Sequence, residues 1–104
     1  MILLNITCNV APDVLPQWMD WLKGDYLPEI IKTPEVAGVT LLKVITEMET
    51  SGSLFAIQHQ FCHAESLNRF ENKEAIAFKD TLKSLFGEEV LHFSSQLQVI
   101  DEFK

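Results

Sequence analysis

Leu54-Phe-Ala-Ile-Gln-His-Gln-Phe-Cys62 alternates strictly. Phe55, Ile57, His59 and Phe61 fall on one side and Ala56, Gln58 and Gln60 on the other, the period of two that marks a half-buried strand. Turn-forming Glu49-Thr-Ser-Gly-Ser53 precedes it, and before that a second strand pattern runs from about Val36 to Met48, so the two make a hairpin. On the C-terminal side the spacing becomes helical over Ala64 to Phe86, with Leu67, Phe70, Phe78, Leu82 and Leu85 inward. Polar Glu71-Asn-Lys-Glu74 interrupts that stripe, which predicts a break near Asn72, with Asn72 capping a second helical segment; Gly87 suits the C′ position. A last strand is expected from Glu89 to Ile100, with Leu91, Phe93, Leu97 and Val99 on one face.

On the N-terminal side, Met1-Ile-Leu-Leu-Asn-Ile-Thr-Cys-Asn-Val10 is a further period-two segment, Ile2, Leu4, Ile6, Cys8 and Val10 against Leu3, Asn5, Thr7 and Asn9. Asp13 suits a helix N-cap and Pro16 its first turn, and Val14, Trp18, Trp21 and Leu22 form the apolar stripe. Pro28 brings no N–H to the carbonyl of Gly24 and crowds that turn, so the helix should run to about Tyr26, kink, and continue through Glu29 to Ile31. The order strand, helix, strand, strand, helix, strand is that of a split βαβ sandwich of the α+β class. Right-handed crossovers put the first and third strands at the centre, taken here as parallel, with the last and second at the edges.

In that arrangement Leu91, Phe93, Leu97 and Val99 would join Ile2, Leu4, Ile6, Cys8 and Phe55, Ile57, His59, Phe61 under the helices. The opposite face would collect Leu3, Asn5, Thr7, Asn9, Ala56, Gln58, Gln60, His92, Ser94, Gln96 and Gln98, with Leu42 and Val44. That face is polar but uncharged in its middle. Neutral amides and hydroxyls suit a surface that is covered yet needs its hydrogen bonds satisfied. A homodimer joined sheet to sheet is the expectation, with Leu3, Asn5, Thr7, Gln58 and Gln96 in the interface; a solvated face that happens to lack charge is the plain alternative.

The 104 residues suit one domain spanning 1–104. Fifteen acidic against eight basic residues give a net charge of −7, and Arg69 is the sole arginine, so neither nucleic acid nor an anionic membrane is expected as a partner. No signal-peptide pattern and no apolar run of membrane-spanning length occurs, and the location expected is cytoplasmic. Cys8 and Cys62 are expected as reduced, buried thiols.

Four side chains form the site hypothesis: Trp18, Trp21, Tyr26 and His59. A phenol, an imidazole and an indole around a small cleft could bind a planar aromatic molecule, and Tyr26 with His59 could move a proton. The plainer reading makes His59 a core histidine bonded to a tyrosine hydroxyl or a backbone carbonyl, with the tryptophans as packing. His59, Cys62 and His63 do not make a metal site, because alternation sends Cys62 to the other face and no second Cys/His pair has structural-zinc spacing. Neither a metal nor a cofactor is expected. The open face lacks the aromatic and basic residues of an RNA-binding sheet: Ala56, Gln58 and Gln60 stand where they would be.

Trp18-Met-Asp-Trp-Leu-Lys-Gly-Asp-Tyr-Leu-Pro-Glu-Ile-Ile31, followed by Val39-Thr-Leu-Leu-Lys-Val44 and Phe55-Ala-Ile-Gln58, resembles a family of small bacterial proteins described only as a domain of unknown function. The resemblance spans essentially the whole chain. It implies the ferredoxin-like fold of the dimeric α+β-barrel proteins, an architecture shared by antibiotic-biosynthesis-type monooxygenases and ethyl-tert-butyl-ether-degradation-type proteins. Relatives tend to carry His-Ile-Pro-Glu at the kink, where this chain has Tyr26-Leu-Pro-Glu29. Fold alone does not transfer an activity. Two functions follow as expectations: a binding or accessory module for a small ligand, or a cofactor-independent monooxygenase acting on a quinol-like aromatic through Tyr26 and His59.

Overall fold

The computed structural model of the protein describes residues 1–45 and 52–104. Strand β1 (Ile2–Val10) leads through a 3-10 turn at Pro12–Val14 into helix α1 (Leu15–Trp21), a π-helical segment (Leu22–Tyr26) and helix α2 (Leu27–Ile30). Strands β2 (Gly38–Lys43) and β3 (Ser53–Phe61) form the hairpin; α3 (Ala64–Glu71), α4 (Glu74–Phe86), a 3-10 turn at Gly87–Glu89 and β4 (Val90–Gln98) complete the chain. The turn expected at Glu49–Ser53 lies, up to residue 51, outside the described residues, as does the expected end of the second strand at Met48.

The sheet order is β2-β3-β1-β4, with β1 and β3 central as the crossovers require. Every neighbouring pair is antiparallel, β1 and β3 included, which corrects the expected parallel pairing. The reason is topological. The helical crossover makes β2 parallel to β1, and the hairpin then reverses β3. This is the βαββαβ ferredoxin-like fold, a four-stranded sheet with broken helices on one face. No helix among the described residues is long and apolar enough to cross a membrane.

Leu4, Ile6, Cys8 and Val10 of β1 pack with Phe55, Ile57 and Phe61 of β3 against Trp18, Leu22, Tyr26, Phe70, Phe78 and Leu82 from the helices. Each large side chain buried there stabilises by about 1.5–3 kcal/mol relative to exposure. Pro28 does not merely kink the first helix. It comes as the second residue of α2, directly after the π-helical turn, where the Leu27 N–H bonds to the Leu22 carbonyl five residues back. A widened turn accommodates a missing N–H and a proline ring that a regular α-turn would not.

Five further expectations are corrected. Asp13 sits inside the 3-10 turn rather than capping the helix, and Lys73, not Asn72, precedes α4, while Asn72 closes α3. Leu85 is exposed, and so is Cys62, although Cys8 is buried. The largest correction concerns β4. Its register pairs Ile2 with Gln98, Leu4 with Gln96, Ile6 with Ser94 and Cys8 with His92, and directly opposed residues share a face. Gln96, expected on the open face, therefore lies on the helix side, as do His92, Ser94 and Gln98. Leu91, Phe93 and Leu97 lie on the open face, opposite Asn9, Thr7 and Leu3. The helices do not cover β4 beyond Val90, so a strand sending its apolar side away from them loses no burial there.

Candidate functional site

His59 is inaccessible to solvent and held at both ring nitrogens. Nδ1 lies 3.1 Å from the Leu4 carbonyl oxygen and Nε2 lies 2.7 Å from the Tyr26 hydroxyl. A carbonyl can only accept, so Nδ1 carries the proton and Nε2 accepts from the phenol, which fixes the tautomer. Burial pushes the imidazole down to about 4 and so keeps it neutral at neutral pH. Burial, then the neighbouring Cys8 and Glu74, pushes the Tyr26 phenol up, and burial alone pushes the Cys8 thiol up to about 12. The Tyr26–His59 pair is a closed hydrogen-bond relay with both groups uncharged.

The π-helical turn places Tyr26 over β3. Its ring stands 4.5 Å from that of Phe78 and 5.7 Å from Trp21, centroid to centroid, and Trp21 lies 5.7 Å from Phe78. These three rings line a cleft of about 210 Å³ between the first helical layer and α4, completed by Asp25, Ile30, Glu74, Ala77 and Thr81. Tyr26 is thus both a wall of the cleft and the donor to His59 behind it.

Of the residues singled out from sequence, Trp21, Tyr26 and His59 come together. Trp18 does not line the cleft: it is fully buried with its ring 5.1 Å from Phe55, and it serves packing. Sequence reasoning missed the contribution of α4. Glu74, Ala77, Phe78 and Thr81 recur at i, i+3, i+4 and i+7, one helix stripe facing Trp21 and Asp25, themselves four residues apart. That shared stripe was the available signal. A second opening, of about 410 Å³, lies between α4 and β4 against Lys79, Lys83, Glu88 and His92. It holds none of the residues expected in the site.

On the open face, Asn5 pairs with Gln58 across the strands, and the Asn5 Nδ2 donates to Thr7 Oγ1 at 3.2 Å. Leu3 stands between Gln60 and Leu97. Leu91, Phe93 and Leu97 add an apolar flank, 59%, 62% and 45% exposed. Leu42, also exposed, flanks Ala56 at the other side.

Residues 1–100 match the family model described as "Domain of unknown function (DUF4286)", and the chain belongs to that family. No curated protein matches it. Among solved structures it is similar to an ethyl tert-butyl ether d (EthD) family protein from Bacillus halodurans C-125, at 14% identity and a TM-score of 0.69, covering 96% of this chain and 100% of that one. It is also similar to two dimeric ferredoxin-like proteins from uncultured marine organisms. One shows 12% identity and a TM-score of 0.68 over 99% of this chain and 97% of that one; the other shows 10% and 0.64 over 98% and 97%. At these identities the likeness establishes the ferredoxin-like fold.

Proposed function

We propose that this member of the DUF4286 family works as a homodimer, sheet against sheet, and binds a small ligand in the Trp21–Tyr26–Phe78 cleft of each protomer. The observation that carries the reading is the open sheet face. Its centre is neutral amide and hydroxyl, its flank is Leu91, Phe93 and Leu97, and no charged side chain lies between them. Large apolar side chains grouped on a sheet face mark an interaction surface. Two of the similar solved proteins are themselves dimeric, which supports a second copy as the occupant. The dimer leaves the cleft free, because the cleft lies on the helical side of the sheet.

Protein-observed NMR with a library of small aromatic fragments tests the ligand half of the reading. Binders are expected to move the Trp21 indole N–H together with the amides of Ala77 and Thr81. Shifts scattered over the surface, or none, would reject the cleft as the site.

The 2.7 Å phenol–imidazole hydrogen bond favours a second reading, a cofactor-independent monooxygenase acting on a quinol-like aromatic. That reading requires turnover of such a substrate, lost in Tyr26→Phe while the fold is retained. The complete burial of His59 and the engagement of both its nitrogens support the binding reading instead, since a general base needs a nitrogen within reach of the substrate proton.

A further inference from the structure

We infer that the cleft selects a small organic cation, a protonated amine carried on a flat apolar body; this rests on the binding reading above. Its apolar walls are the rings of Trp21, Tyr26 and Phe78 with Ile30 and Ala77, and its polar groups are Asp25, Glu74 and Thr81. No lysine, arginine or histidine lines it. The two carboxylates come from different elements, Asp25 from the π-helical turn and Glu74 from the start of α4. The favourable dipole at a helix start accounts for Glu74 on its own. It does not account for Asp25, which lies inside the continuous helical run from Leu15 to Ile30, away from its start. Among the described residues the ion pairs are Lys32–Glu29 and Arg69–Glu35, so neither carboxylate of the cleft is held in one, although Glu74 also borders the opening that Lys73 and Arg69 line.

Two carboxylates beside three aromatic rings discriminate by ligand charge. The ring faces attract a cation through their quadrupoles and the carboxylates attract it by Coulomb's law, whereas both carboxylates repel an anion. Because Asp25 is exposed, the preference should weaken as salt rises. A flat body fits the ring-lined walls of a cleft of about 210 Å³.

The test is titration calorimetry on the full chain at neutral pH and low salt with three matched probes: 2-naphthylmethylamine (cation), 2-naphthylmethanol (neutral) and 2-naphthoate (anion). The expected order of affinity is cation, neutral, anion, with about tenfold or more between the extremes, which corresponds to about 1.4 kcal/mol. In the Asp25→Asn, Glu74→Gln double variant, checked for an unchanged melting temperature, the cation should fall to within about twofold of the neutral probe, whose own affinity stays constant. A neutral probe bound as tightly as the cation by the unaltered protein, or a cation advantage that survives both substitutions, would overturn the inference and leave the cleft standing. Binding of none of the three would reject the cleft reading itself, and the inference with it.

Discussion

One buried imidazole ties the helical layer to the sheet. His59 accepts from Tyr26 and donates to Leu4, and burial holds its folded-state pKa at about 4, below the ordinary 6.5. The unfolded chain therefore binds more protons between those two values. His59's contribution to stability is complete above about pH 6.5 and is lost as pH falls toward 4, about 3 kcal/mol in all. Urea unfolding across that range should show this loss in the unaltered protein and not in His59→Gln; parallel curves would reject it. Tyr26→Phe strands Nε2 without a donor in a buried setting and should cost about 1–3 kcal/mol by the same measurement. The sequence supplied these two residues and both the functional and the packing reading of them. It could not supply the Leu4 carbonyl, a backbone atom brought in by strand pairing, and that atom decides the tautomer.

At the scale of elements, glycines and prolines determine the shape. Gly24 sits in the π-helical turn with ordinary backbone angles, and an added Cβ would meet nothing within 4 Å. Gly24→Ala is expected to stabilise by about 0.4–1 kcal/mol, chiefly by restricting the unfolded chain. Gly87 ends α4 at φ 56° and ψ −131°, a region that side chains avoid, so Gly87→Ala should destabilise by more than about 1 kcal/mol. Thermal unfolding of the pair checks both signs at once. The kink at Pro28, the break near Asn72 and the stop at Gly87 were legible because proline, polar interruption and glycine act locally. The face of β4 was not. Alternation in Leu91, Phe93 and Leu97 gives the period of the strand but not its direction, and the rule that apolar residues turn toward the helices fails for an edge strand the helices do not reach. The cleft was half legible for a related reason. Trp21 and Tyr26 stand out as rare residues, whereas Glu74, Ala77 and Thr81 are ordinary until α4 brings them alongside.

At the scale of the whole molecule, the proposed dimer depends on what covers the open sheet face. Exposed Leu91, Phe93 and Leu97 beside neutral Asn5, Thr7 and Gln58 describe a surface better suited to another protein surface than to water. Gln58→Glu would bury a charge there and Phe93→Asp would remove an anchor as well, and each should weaken self-association by about tenfold or more. Gln96→Glu, on the helix side of an uncovered edge, should leave it within about twofold, so the three variants together map the face that is used. The measurement that addresses the claim most directly is solution mass by light scattering on a sizing column, across a dilution series of the unaltered chain. A sheet-to-sheet homodimer predicts a mass close to twice 11.9 kDa that persists on dilution into the micromolar range. A mass of 11.9 kDa throughout would contradict it.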